Sequence, residues 1–396
     1  MSKLRILVGL LILFAGCSTS PLPGEKSHET TESFNDVNVP MESEHITDSQ
    51  PLAPPPGTAQ PTPAASTNHI APTWVSLKQW AAQNNIGPIQ RLSATSLPTF
   101  VMKAPRGLLI VRANDHIAYW NSIELHLGFA PRLVTNQLLI EGLDISKNIE
   151  PLLHPLTLPP NTDRVIVIDP GHGGTNYGTT SVLDGSHEKQ YTLDWAKRLS
   201  SILATNGWKV FLTRTNDIDV SLEDRASFAD ARKADVFISL HFNAPGSPRD
   251  QGEVGIETYC VTPTGMPSTL TREYEDNTAL VFPNNHFDAE NLRYAMQVQR
   301  SILKIGVHDR GVCRARFMKV LRLQNRPAIL VEGGYLSNPR EARHIQDPAY
   351  RQKLAEAVAA ALIEKSAAHA SPPEHASTNS PPAAPVETAQ KLKTAN

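Results

Sequence analysis

Apolar runs of strand length alternate with helical periods from residue 164 to residue 365, and few folds accommodate that alternation. The reading is strand 164–169, helix 188–205, strand 208–213, helix 222–232, strands 235–240 and 253–260, helix 289–306, strand 327–332 and helix 348–365. Strand and helix in turn predict an α/β fold with a mostly parallel sheet and helices on both faces. The helix opened by Glu188 illustrates the signal, since apolar or aromatic residues recur at Tyr191, Trp195, Leu199 and Ile202 in helical spacing. In open sheets of this kind the site lies beyond the carboxyl ends of the strands, so residues distant in sequence meet in one crevice.

Three of the strands end in groups that can do chemistry. VIVIDPGHGG (165–174) closes on Asp169-Pro170 and a glycine turn bearing His172, DVFISLHFNA (235–244) carries His241, and PAILVEGGYLSN (327–338) carries Glu332. Glu188 joins them from the start of its helix. Two neutral imidazoles and a carboxylate suit Zn²⁺, and a catalytic zinc commonly takes three protein ligands and leaves the fourth position to water. His172, Glu188 and His241 fill that set. Glu332 is then the carboxylate outside the metal's ligands that accepts and returns a proton. Glycines at 173, 174, 333 and 334 remove side-chain bulk, which would let a polymeric substrate come close. Spacing alone carries little weight, because the long gaps are unlike a compact HExxH helix.

Taken together, these segments resemble the zinc-dependent N-acetylmuramoyl-L-alanine amidases of the amidase-3 family. The resemblance runs from about Arg164 to about Lys365. It rests on DPGHGG, EKQYTLDWAKRLSSILATNGWKVFLTR (188–214), SLEDRASFADARKADVFISLHFNA (221–244), DRGV (309–312) and PAILVEGGYLSN. It implies a peptidoglycan hydrolase that cleaves the amide between N-acetylmuramic acid and the L-alanine of the stem peptide, in wall remodelling or daughter-cell separation. It also implies zinc on His172, Glu188 and His241, and acid/base work by Glu332. Two other functions are weighed against it: a zinc peptidase cutting within the stem peptide, and a non-enzymatic wall-binding regulator. The presence of all four chemical residues argues against the second.

Plainer roles exist for the same residue types. A lone histidine after a strand is ordinarily a surface residue, and His187, His286, His308 and His344 are read that way, although His187 adjoins Glu188 and is its substitute as a ligand. A glutamate in a helix's first turn is favoured by the helix dipole alone. Glu332 has Arg322, Arg326 and Arg340 nearby as pairing partners. Arg214 and Arg225 are expected to brace the sheet and loops. Asp169 is expected either to orient a ligand histidine or simply to form a turn.

The ends of the chain read differently. Lys3, Arg5 and the apolar run Ile6–Ala15 form a secretory signal too short to span a bilayer as a helix. LFAGC (13–17) resembles a bacterial lipoprotein signal, which implies lipidation of Cys17, and Ser18 is compatible with delivery to the outer membrane. The expectation is a periplasmic protein anchored there, with a soluble periplasmic form as the alternative. Residues 18–72 and 366–396 are rich in Pro, Ser, Thr and Ala and cannot bury a core.

Between linker and catalytic segment (163–365), residues 73–158 promise a short helix at Trp74–Ala82 and a small β-rich domain, with a break near Pro159-Pro160. That domain distantly resembles the N-terminal domain of some copper amine oxidases around IAYWNSIELHLGFAPRLV (117–134), without a set of copper ligands. A spacer role is expected, and wall binding is the alternative. The insertion between Thr262 and Asp288 is expected to shape the substrate groove. A formal charge of −2 gives no reason to expect nucleic-acid binding. Peptidoglycan is the expected partner, and an activator protein is left open. Arg310, Arg314, Arg316 and Arg322 are expected to be solvated, with stem-peptide carboxylates as alternative partners. Cys260 and Cys313 either pair or stay as buried thiols.

Overall fold

Short alternating runs make strands throughout the N-terminal region. The computed structural model describes residues 73–93, 97–158, 164–244, 252–270 and 276–363. Cys17 with its leader, the linker 18–72, Pro159-Pro160 and the tail 366–396 lie outside the described residues. Strand β1 (Trp74–Ser76) leads into helix α1 (Leu77–Gln83), and β2 (Ile89–Arg91), β3 (Thr99–Ala104), β4 (Gly107–Arg112), β5 (Ile117–Trp120) and β6 (Ile123–His126) follow as an antiparallel meander. Strand β8 (Gln137–Glu141) pairs with β1 on one side and β7 (Arg132–Val134) on the other in a separate three-stranded sheet, and α2 (Gly142–Asp144) opens an irregular helical stretch that ends at Leu153. The first helix therefore starts later than expected. Ser76 caps it by accepting from the Gln79 N–H at 3.5 Å, while Trp74 and Val75, residue types at home in strands, pair with β8.

From residue 165 onward the elements are β9 (Val165–Pro170), α3 (Glu188–Thr205), β10 (Lys209–Leu212), α4 (Leu222–Ala231), β11 (Val236–Asn243), β12 (Ile256–Cys260), α5 (Asp288–Leu303), β13 (Asp309–Arg314), α6 (Lys319–Arg322), β14 (Ala328–Tyr335), α7 (Pro339–Gln346) and α8 (Pro348–Ile363). The large sheet has the order β10-β9-β11-β14-β12-β13-β6-β5-β4-β3-β2. Strands β10, β9, β11 and β14 run parallel, β12 reverses against β14, and β13 is parallel to β12. This is the mostly parallel sheet that the alternation predicts, with α3, α5 and α8 over one face and α4 and α6 over the other. Trp195, Leu199 and Leu203 of α3 are fully buried. Each buried leucine stabilises the packing by about 1.5–3 kcal/mol relative to exposure, which holds the helix that begins at Glu188 against the sheet.

Two features depart from the sequence reading. Charged Asp309 and Arg310 followed by Gly311 hide a strand, yet this segment is β13, and the N-terminal meander joins the large sheet there. Val312 pairs with Leu125, and the Glu124 N–H donates to Asp309 Oδ2 at 2.9 Å. One continuous sheet thus runs from residue 89 to the catalytic strands.

The insertion after β12 also lies elsewhere than expected. Because β12 is antiparallel to β14, with Glu257 opposite Glu332 and Tyr259 opposite Leu330, the chain moves away from Glu332 at roughly 3.3 Å per residue. It leaves the sheet at the amino-terminal end of β14, and the described residues that follow are anchored away from Glu332. Arg316 anchors it there, donating to the carbonyls of Met266 at 2.7 Å and Pro263 at 3.1 Å and pairing with Asp276. Arg314 donates to Cys260 Sγ at 3.0 Å and to the Lys147 carbonyl and Asn148 Oδ1 at 3.0 Å each. Far from being solvated, these two arginines are 1% and 4% exposed. Cys260 and Cys313 are unbridged and buried; they occupy successive register positions on β12 and β13 and line different cores.

Candidate metal centre and active site

At the exit of β9 the backbone turns through left-handed conformations, with φ +61° at His172 and +130° at Gly173. A Cβ on Gly173 would stand 2.3 Å from the Ile218 carbonyl oxygen, and one on Gly333 2.9 Å from the Trp195 and Phe242 rings. These two glycines therefore make room for the protein's own atoms, which corrects the expectation that they admit substrate. The turn sends the His172 ring over the start of α3. Glu188, 2% exposed, is fixed there by two backbone donors: the Thr179 N–H to Oε2 at 2.8 Å and the Phe242 N–H to Oε1 at 2.9 Å.

Three donors converge at this point. His172 Nε2 lies 3.1 Å from Glu188 Oε2, His241 Nδ1 lies 3.0 Å from Glu188 Oε1, and the two ring nitrogens are 3.1 Å apart. Among the described residues this is the group of histidine, cysteine and acidic side chains that could hold a metal ion, with ligand atoms all within 4.8 Å of one another. A tetrahedral Zn²⁺ with bonds of about 2.0–2.1 Å separates its ligand atoms by roughly 3.4 Å. Donor chemistry and spacing both fit one such ion. Burial works against charge on Glu188, but the His172 and His241 imidazoles outweigh it and hold the carboxyl well below the usual range. Burial likewise lowers His241, whereas Glu188 raises His172 against it.

Neighbouring residues hold the trio in place. His172 Nδ1 meets Asn176 Oδ1 at 2.7 Å. Arg214 donates to the carbonyls of Pro170 at 3.0 Å, Gly171 at 2.8 Å and Lys189 at 2.8 Å, which ties β9 to α3. Asp169 touches neither histidine. It accepts from Arg225 Nη1 at 2.5 Å, Thr213 Oγ1 at 2.5 Å and Ser239 Oγ at 2.7 Å, so it braces the strand ends and orients no ligand. His187 precedes α3 and stacks on Tyr177 at 4.6 Å, outside the trio. His286, His308 and His344 are exposed.

Glu332 stands beside His241 in the strand register, on the same face of the sheet. Its Oε2 is enclosed and accepts no hydrogen bond among the described residues. Burial first, then the charges of Glu188 and Glu257, push its carboxyl well above the ordinary range. Of the arginines that might have paired with it, Arg326 pairs with Asp230 and Arg322 lies over the Phe282 ring at 5.2 Å. Asn176 and Glu257 escape sequence reasoning. Asn176 follows His172 by four residues in a loop without periodicity, and Glu257 reads only as one position in a strand.

A mixed sheet whose strand exits and first covering helix bring together two imidazoles and a carboxylate, with a second carboxyl enclosed beside them, defines a hydrolase of mixed α/β fold with a candidate metal site. The family model described as N-acetylmuramoyl-L-alanine amidase matches residues 166–364, and the chain belongs to that family of peptidoglycan amidases, which act in cell-wall processes. It is 31% identical over 222 residues to the N-acetylmuramoyl-L-alanine amidase AmiA of Escherichia coli, a match covering 50% of this chain and 75% of the relative. Over 200 residues it is 31% identical to LytC of Bacillus subtilis, covering 50% of this chain and 35% of that protein. The crystal structure of the Clostridium difficile amidase aligns over 51% of this chain and 96% of its own, at 32% identity and a TM-score of 0.42.

Proposed function

We propose that this amidase is a zinc enzyme in which His172, Glu188 and His241 hold the ion and Glu332 moves the proton, and that it cuts between N-acetylmuramic acid and the L-alanine of the stem peptide. The observation that carries the proposal is the convergence of the three donors from β9, α3 and β11 at mutual distances of 3.0–3.1 Å. When bound, zinc supplies Lewis-acid polarisation of the amide carbonyl and acidifies water at its open position. The chain supplies the rest. Glu332 accepts a proton from the attacking water and returns it to the nitrogen of the departing peptide, and a carboxyl with raised proton affinity suits both halves of that task. Asn176, bonded to the far nitrogen of His172, sets which ring nitrogen faces the trio.

In this proposal the leader and LFAGC place the enzyme in the periplasm, tethered to the outer membrane through Cys17. Digestion of purified sacculi, followed by mass spectrometry of the products, tests the reaction. The expected products are intact stem peptides beginning with L-alanine and peptide-free glycan, formed only without chelator. Peptides cut within the stem would instead mark a zinc peptidase.

A further inference from the structure

A row of side chains crosses the site end of the sheet. Strand register sets His241 of β11 beside Glu332 of β14, and Glu332 beside Glu257 of β12, so all three share one face. Two carboxyl side chains therefore stand directly across an antiparallel pair, a like-charge placement that ordinarily destabilises a sheet. Their surroundings are opposite. Glu257, 4% exposed, is gripped from all of β11, β12, β13 and β14. Its Oε1 accepts from Arg310 Nε and from the Tyr335 hydroxyl at 3.0 Å, and its Oε2 from the Tyr259 hydroxyl and from Asn243 Nδ2 at 3.3 Å. Arg310 is itself held by Glu253 at 2.5 Å and lies over the Tyr335 ring at 5.2 Å. Glu332 Oε2, in contrast, is enclosed and meets no donor among the described residues.

We propose that Glu257 is a positioning residue for Glu332. A carboxylate immobilised on the β12 side repels the charge that Glu332 carries as a base and turns it toward β11, where His241 and the rest of the trio stand. Aim by repulsion leaves the Glu332 oxygen without a hydrogen bond that would have to break at each proton transfer. Arg310 supplies the counter-charge that a buried carboxylate requires. The proposal rests on the reading of Glu332 as the acid/base group.

The test is steady-state kinetics of the full chain on a soluble muropeptide, with zinc content and thermal midpoint measured in parallel. Glu257→Gln keeps the shape and an acceptor but removes the charge, and its amide offers Glu332 a hydrogen bond that draws it away from the trio. Misplacing a catalytic group by about 1 Å can cost about a hundredfold, so the expected result is a kcat lower by about tenfold or more. KM should stay within about twofold, because the substrate's ground-state contacts are untouched, and zinc content should not change. Glu257→Asp, which retains the anion, should keep kcat within about threefold of the parent. An unchanged kcat in Glu257→Gln, a loss carried by KM instead, or an equal loss in Glu257→Asp overturns the proposal. If Glu257→Gln does not fold, Tyr335→Phe removes one donor only and should lower kcat at constant KM; an unchanged kcat there overturns it too. Glu332→Gln, run alongside, separates the two readings. Activity in Glu332→Gln removes the acid/base role and the proposal with it, whereas an inactive Glu332→Gln beside a fully active Glu257→Gln removes the positioning role alone.

Discussion

His172 adopts a left-handed backbone that costs a non-glycine residue energy, and such strain persists where surrounding structure over-determines it. Its companion Asn176 makes the clearest residue-scale prediction. Asn176→Ala removes the partner of Nδ1 and should weaken zinc affinity by about 10–100-fold, read by competition with a chelator of known affinity. Unchanged affinity would show that the ring is held by other contacts. A second prediction concerns the buried pair of Asp169 and Arg225, 2.5 Å apart and 1% and 5% exposed. Burial tends to raise Asp169, but Arg225 and the Thr213 and Ser239 hydroxyls lower it below its ordinary value. A depressed carboxyl stabilises the fold fully above its unfolded pKa of about 3.9, and that contribution disappears as pH falls through the lower folded value. Arg225→Met should therefore cost about 3–5 kcal/mol at neutral pH, with a gap to the parent that narrows below about pH 4 in denaturant melts. A gap that stays constant into acid would contradict the pairing. His172, Glu188, His241 and Glu332 are legible in sequence because each lies in or beside a recognisable element: the turn after β9, the first residue of α3, and strands β11 and β14. Asn176 and Glu257 are not, since their roles come from partners that only the fold brings near.

At the scale of elements, helix α3 carries the site's carboxylate on its first residue and owes its position to the apolar stripe behind it. Leu199 is fully buried on that stripe, and Leu199→Ala should cost about 2–5 kcal/mol in urea unfolding. A loss much smaller than that would mean the helix is held chiefly by Arg214 and its carbonyl partners. The helix at 188–205 is readable because its period is unbroken, and the structure gives it the same bounds. Strand β13 is hidden by its charges and Gly311. The fate of the insertion after Cys260 is hidden for a different reason. Whether a strand runs with or against its neighbour depends on pairing, and the reversal of β12 makes the chain leave it at the end of the sheet away from Glu332.

At the scale of the whole molecule, the N-terminal meander continues the catalytic sheet through β6 and β13, and Arg314 reaches from β13 to Lys147 and Asn148. Residues 164–363 expressed alone would expose β13 as an edge strand and leave Arg314 short of acceptors. That segment should melt lower and aggregate more readily than 73–363, and equal melting of the two would show that the junction adds nothing. The fold thereby holds strands β9, β11 and β14 in one register so that two histidines 69 positions apart bring ring nitrogens within 3.1 Å of each other. Metal analysis of single variants tests this most directly. One zinc per chain should be found in the parent, in Glu332→Ala and in His187→Ala, and lost alike from His172→Ala, Glu188→Ala and His241→Ala. Full zinc occupancy in any of those last three would contradict the shared site.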